Sequence, residues 1–215
     1  MVRARLSIGV QPLYEHWGNR GRPIHRRYLE QFLQDFSSDI RGHCVEFQED
    51  SYTSRFGGER VTKVDILHRD EGNPRATIVA DLTKGNDIPS NSFDCIVCTQ
   101  VLHIIPELEE MIAQLYRILK PHGVLLVSVP HIAPCYPQYQ ELWRFTSEGL
   151  HLLLAKRFGA ANVTVRPYGN SLTAVGDLRG LVAKDFTATE LNYHDPRFAL
   201  VVCARAVKHS EMARR

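Results

Sequence analysis

Residues 44–61 read CVEFQEDSYTSRFGGERV: an apolar run ending in an acid, Glu46, then polar side chains where a nucleotide-binding turn would carry glycines. Glycines in such turns let the backbone approach a ligand. Their replacement leaves three readings: a cofactor site wired through side chains, a site that has been lost, or an ordinary strand end. A dinucleotide dehydrogenase is disfavoured, because no Gly-x-Gly-x-x-Gly is present to hold a pyrophosphate. Cys95-x-x-Cys98 raises zinc or thiol redox chemistry. It lies in FDCIVCTQ, however, which reads as a buried strand, and no second CxxC or His pair completes a ligand set. No cluster of Asp, Glu and His has spacing for a catalytic metal, so none is assigned. The five cysteines are odd in number and lack framework spacing, which points to a reducing, cytoplasmic setting. Cys135 alone is placed for exposure, and nothing near it clearly depresses its thiol, so a cysteine nucleophile is disfavoured.

These residues need elements to position them. Tyr28, Leu29, Phe32, Leu33 and Phe36 fall at helical spacing within residues 26–40. Strands follow at HCVEF and RVTKVDIL, separated by Gly57-Gly58, and then at ATIVADL. FDCIVCTQVLHII is a fourth strand, leading into a helix over ELEEMIAQLYRILK that Pro121-His122-Gly123 stops. VLLVSVP is a fifth strand. TSEGLHLLLAKRF opens on Thr146 or Ser147 with Glu148 behind it and ends before Gly159, the signature of a capped helix. NVTVRPY and FALVVCARAV are the last two strands. Strands alternating with helices predict a parallel α/β sheet covered on both faces. In such sheets ligands bind at the carboxyl ends of the strands. That rule selects residues 46–52, 65–68, 81–83, 99–103 and 130–136.

At 215 residues the chain fits one domain with room for a core and a cleft. Its net charge of +2 offers no global attraction for nucleic acid or an anionic membrane. No apolar run approaches the roughly 20 residues of a membrane span, and the first residues lack a signal peptide's long apolar stretch.

The block ADLTKGNDIPSNSFDCIVCTQVLHIIPELEEMIAQLYRILKPHGVLLVSVP, residues 80–130, resembles the core of class I S-adenosylmethionine-dependent methyltransferases that act on small molecules, the type 11-like domain. Three pieces carry the resemblance: the Asp-Leu after strand three, Asn91-Ser92-Phe93-Asp94 entering strand four, and RILKPHGVLLVSVP. LWRFTSEGLHLLL, residues 142–154, adds the Arg-Phe-Thr helix entry of many members. The resemblance covers residues 39–207. It implies a Rossmann-like α/β fold with a seven-stranded, mostly parallel sheet, an antiparallel last strand and helices on both faces. It divides the chain into an N-terminal helical cap (1–38), the core (39–207) and an insertion or lid (169–197) within a single domain.

The resemblance also implies cofactor roles. Asp65, at the end of strand two, would accept hydrogen bonds from the ribose diol. Asp81 would meet the adenine amino group, with the Leu82 backbone beside the ring. Thr99 and Gln100 would face the methionine part, and Glu46, Gln48 and Tyr52 would stand in the first loop. The plain alternative for each carboxylate is a surface group or helix cap. HWGNRGRPIHRRYLEQFL, residues 16–33, resembles a bacterial subgroup whose first loop is likewise glycine-poor and is followed by Tyr-Thr and Phe-Gly, here Tyr52-Thr53 and Phe56-Gly57. The loop therefore reads as a subgroup variant, and Arg20, Arg22, Arg26 or Arg27 is placed to hold the methionine carboxylate.

Methyl transfer needs alignment and water exclusion, and a hydroxyl acceptor also needs a base. His131 and His103, after strands five and four, are the candidate bases. Tyr136, Tyr139 and Trp143 are the candidate walls of the acceptor site. The preferred expectation is O-methylation of a small hydroxylated metabolite such as a sugar, glycan or glycosylated natural product. Its partners would then be a small-molecule acceptor, with no nucleic acid and no membrane, and a homodimer is allowed. The alternative is a non-catalytic protein of this fold that binds a partner enzyme or metabolite.

Overall fold

The structure, a computed structural model, describes residues 9–15, 20–136 and 140–209. Its apolar runs assemble into one seven-stranded sheet of order β3-β2-β1-β4-β5-β7-β6. The strands are β1 (Gly42–Phe47), β2 (Val61–His68), β3 (Ile78–Val79), β4 (Phe93–Thr99), β5 (Leu119–Pro130), β6 (Val163–Tyr168) and β7 (Val201–Val207). β1 to β5 pair in parallel. β7 lies antiparallel between β5 and β6 and bonds to both. This is the mostly parallel sheet with an antiparallel last strand that the sequence led us to expect.

Among the described residues the α-helices are α1 (Ile24–Asp35), α2 (Leu108–Ile118), α3 (Ser147–Phe158), α4 (Ser171–Leu178) and α5 (Ala188–Asn192). Alternation along the strands sends Val45, Ile96, Leu125 and Val127 to the face packed by α2 and α3. Cys44, Cys95, Leu126 and Cys203 go to the other face, against α1. Cys95 and Cys98 are thus buried in different clusters on opposite faces and cannot share a metal ion. On α1, Ile24, Tyr28, Leu29, Phe32 and Leu33 form one buried stripe. Each such side chain contributes roughly 1.5–3 kcal/mol on leaving water. α3 starts where its signature placed it: the Thr146 side chain accepts from Gly149 N, and Gly159 ends the helix with φ 81°.

Three connections depart from the expected alternation. Between β1 and β2 there is no long regular helix: residues 51–60 make one short irregular helical stretch, with a π-type turn (Thr53–Gly57) and a 3-10 turn (Gly58–Arg60). Gly57 suits this tight path, because a Cβ there would meet Val61 and Ile40 at 2.3 and 2.8 Å. The β2–β3 and β3–β4 connections, residues 69–77 and 80–92, also carry no helix. β3 is cut to two residues because the chain leaves the sheet at Asp81, whose carboxylate accepts from Thr83 N and Oγ1 in a tight turn. α2 ends at Ile118, and β5 begins at once, earlier than VLLVSVP predicted. Lys208 holds this junction at the amino end of the sheet. It is buried, and its ammonium donates to Leu119 O (2.7 Å), Asn91 Oδ1 (2.8 Å) and Arg117 O (3.3 Å).

Residues 169–197 pack against the start of α1. Arg20 bonds Gly180 O and pairs with Asp185, Pro23 bridges Val182, and His25 meets Asp177.

Candidate functional site

α1 passes through a short connector into the start of β1 and so runs back along the sheet. Its first turn therefore stands at the carboxyl end of the strands. The sheet reverses its order between β1 and β4, the switch point where α/β sheets bind ligands. Both strands flanking it break on a glutamine in the left-handed region, Gln48 at φ 74° and Gln100 at φ 53°. A non-glycine residue there costs roughly 1–2 kcal/mol, so each needs an anchor. Gln100 N donates to Ser128 O (2.9 Å) and its Nε2 to Ser128 Oγ (3.3 Å). Gln48 N donates to Leu67 O (3.1 Å), and its carbonyl accepts from Asn73 Nδ2 (2.6 Å). Thr99, half-buried, sits at the same β4 end.

Glu46 is 1% exposed, and its oxygens accept from Tyr52 N (3.2 Å) and Thr53 N (2.7 Å). Burial pushes its carboxyl up to about 7 even against these bonds. The acid read as a ligand contact thus pins the turn that stands in for the first crossover helix.

Asp65 is not at the end of β2, as expected, but three residues inside it. Its carboxylate meets His43 Nε2 (2.6 Å), Thr77 Oγ1 (2.9 Å) and Lys63 Nζ (2.9 Å). The strand runs on to His68 because Leu67 and His68 pair with β3. Burial raises the Asp65 carboxyl, but bonds from His43, Lys63 and Thr77 outweigh it and hold it below the usual value. Asp81 is likewise held ionised, its Thr83 and Lys84 contacts outweighing burial. The structure brings Asp65 and Asp81 together as lining of one cleft of about 800 Å³, with Arg69, Ile78 and Asn86 also on its wall. The cleft exists because no helix covers that part of the sheet. Leu82 is buried beside it.

On the β5 side, His131 Nδ1 lies 2.7 Å from Phe145 O. A carbonyl only accepts, so Nδ1 carries the proton and Nε2 the lone pair. His103 is held below the ordinary imidazole value by burial, and its buried Nδ1 has no hydrogen-bond partner among the described residues. Trp143 ties this edge together, its backbone N donating to His103 O and its indole to Ile105 O. Tyr136 N donates to Glu141 Oε1. Tyr139 lies outside the described residues.

Arg144 was missed as an organiser: it pairs with Glu141 and donates to Ala133 O and Pro134 O, shaping the loop after β5. Its signal was the LWRFT motif itself. His25 and Asp177 were also missed, because the sequence gives no hint that they pair.

Of the four arginines considered, three are engaged within the fold. Arg20 pairs with Asp185, Arg22 with Glu30, and Arg27 bonds Gln31 and Asn192. Arg26 has no such partner among the described residues and bears electrostatically on Tyr52. Glu49, exposed on the first loop, bears on Tyr52 as well, and its side chain too has no partner among the described residues.

Among the described residues no group of three or more His, Cys, Asp or Glu side chains is placed to hold a metal ion. No helix among them is long and apolar enough to cross a membrane.

A family model described as a methyltransferase domain matches residues 47–127. The ubiquinone/menaquinone biosynthesis C-methyltransferase UbiE of Escherichia fergusonii is 30% identical over 106 residues, 46% of this chain and 42% of that enzyme. The match thus spans less than half of that relative. Among solved structures, a SAM-dependent methyltransferase from Archaeoglobus fulgidus is 12% identical with a TM-score of 0.54, covering 85% of this chain and 94% of that one. Phosphoethanolamine N-methyltransferase 2 of Haemonchus contortus, solved with S-adenosyl-L-methionine, is 15% identical with a TM-score of 0.54, over 88% and 54%. The cyclase SpnF is 14% identical with a TM-score of 0.54, over 97% and 91%. At these identities the likeness is one of fold, and the fold is shared by proteins with different reactions.

Proposed function

We propose that this chain, whose residues 47–127 match a methyltransferase-domain model and whose fold is that of S-adenosylmethionine-dependent methyltransferases, transfers a methyl group from that donor to a hydroxyl of a small acceptor. A sugar, glycan or glycosylated natural product is the acceptor class. The observation that carries the donor assignment is that Arg26 and Glu49, both exposed and of opposite charge, each bear electrostatically on the half-buried Tyr52 at the switch point. Neither is neutralised within the described fold. Together they match a free amino acid group, the guanidinium for its carboxylate and the carboxylate for its ammonium. The donor has no phosphate, so the site needs no glycine-lined nest of amides. That is why a loop without glycines fits it.

In this reading Asp65 and Asp81 hold the adenosine half along their shared cleft, with Leu82 beside it. Gln48, Tyr52, Thr99 and Gln100 border the methionine half, and Glu46 acts through the turn it pins. Bound S-adenosylmethionine supplies an electrophilic methyl on a sulfonium. On the acceptor side the neutral form of His131 offers its lone pair at Nε2 and burial favours the uncharged form of His103, so either imidazole can accept a hydrogen bond from a hydroxyl. Tyr136 and Trp143 form the wall that excludes water. Five free thiols, four of them buried, suit a reducing cytoplasm.

A second reading, a non-catalytic binding protein, draws on the lacing of the first loop to the next one by Asn73–Gln48 and Arg75–Asp50. Calorimetric titration with S-adenosylmethionine and S-adenosylhomocysteine separates the two. Binding weakened about 10- to 100-fold by Arg26→Ala supports the donor site, a charge-assisted contact being worth about 1.5–3 kcal/mol. No heat from folded, ligand-free protein favours the second reading. Transfer of a tritiated methyl group to free sugars and methyl glycosides then identifies the acceptor.

A further inference from the structure

A buried acid stands at the same end of the sheet. Asp177 lies in the last turn of α4 and is 2% exposed. His25 Nδ1 lies 3.2 and 3.3 Å from its two oxygens. A carboxylate only accepts, so neutral His25 carries its proton on Nδ1 and its lone pair on Nε2.

The pair stands beside the proposed donor site. His25 precedes Arg26 in the first turn of α1, and its side chain is 31% exposed. The loop after β5 closes on the same place. Ile132 packs into the cluster formed by α1 and the chain after α4. Burial pushes the Tyr136 phenol up to about 12, with the charges of Asp177 and Glu141 adding to it. The other two site histidines lack such support. His131 faces a neutral carbonyl, and His103 has only an unpartnered buried nitrogen. Of these three histidines only His25 contacts a buried carboxylate; the other such contact, His43 with Asp65, belongs to the adenosine cleft.

We propose that His25 is the general base of the methyl transfer and that Asp177 is its positioning residue, fixing the tautomer and stabilising the cation. This rests on the methyltransferase reading. The acceptor's O–H proton passes to His25 Nε2 as its oxygen bonds the methyl carbon. The carbon–sulfur bond breaks with its electron pair going to sulfur. The products are a methyl ether, a neutral thioether and a protonated His25, which returns its proton to water.

Nitrogen NMR of the full chain labelled in histidine tests the arrangement without turnover. The neutral form of His25 is expected as the Nδ1–H tautomer. S-adenosylhomocysteine should shift its ring signals and leave those of His122, at the far end of the sheet, in place. Asp177→Asn should move the tautomer toward Nε2–H, with circular dichroism and S-adenosylhomocysteine affinity unchanged. His25→Gln should lower transfer to the methyl glycosides at least about 100-fold at constant donor affinity. An Nε2–H tautomer in the wild type, His25 signals indifferent to S-adenosylhomocysteine, or a His25→Gln variant within about threefold of wild type would each overturn the assignment. A wild type that binds no S-adenosylhomocysteine brings down the methyltransferase reading and this role with it. A wild type that binds it with His25 unmoved overturns this role alone.

Discussion

Glu46 gives the most exacting test of the turn that replaces the first crossover helix. Replacing it with Gln keeps the side chain's shape and one carbonyl oxygen for the Tyr52 and Thr53 amides, but removes the titrating proton. A carboxyl at about 7 in the folded protein, against the ordinary 4.5, corresponds to about 3 kcal/mol at 1.36 kcal/mol per pH unit. The folded state holds this proton more tightly than the unfolded one. Its contribution to stability is therefore full below pH 4.5 and is lost as pH rises toward 7. His103 and His194 act oppositely in part of the same range, because burial holds both below the usual imidazole value. They are common to both proteins and cancel in the difference. Urea unfolding followed by far-ultraviolet circular dichroism at pH 5, 6, 7 and 8 gives that difference directly. Relative to wild type, Glu46→Gln should gain about 2–3 kcal/mol between pH 5 and pH 8, whatever constant offset the lost cap adds. A difference flat to within about 0.5 kcal/mol, or one of opposite slope, would refute the reasoning.

Two further outcomes follow from the packing. Lys208→Met leaves Asn91 Oδ1, Arg117 O and Leu119 O without their buried donor, and should lower stability by about 2–4 kcal/mol in urea. Thr146→Ala removes the cap on Gly149 N and should cost about 1 kcal/mol, read as a lower midpoint with an unchanged slope.

Seven strands and the cap of α3 were legible because each rests on a local pattern, whereas the mixed direction of the sheet came only from the family resemblance. Alternating apolar residues mark strands, and Thr146 with Gly159 brackets a helix. Asp65 was misplaced because RVTKVDIL shows where a strand lies but not where it stops. Its end was set by pairing of Leu67 and His68 with β3, a contact between separate segments. The absent crossover helix was foreshadowed by Gly57-Gly58, but the spacing from Glu46 to Asp65 suited a helical step equally well. His25 and Asp177 were invisible for the same reason as most paired residues: nothing local to either announces a partner on another helix. The cysteines were legible, since four sit within apolar strand runs and are buried there.

The place of β7 also bears on how the protein is made. Val201–Val207 is the seventh strand to leave the ribosome, yet it occupies an interior position, paired with β5 on one side and β6 on the other. Until it emerges, β5 presents an open edge of apolar residues and β6 has no neighbour in the sheet. A nascent chain paused before residue 201 therefore carries an unsatisfied strand template, the kind that recruits other chains. Synthesis through this stretch is the step at which the folding protein passes from adhesive to closed.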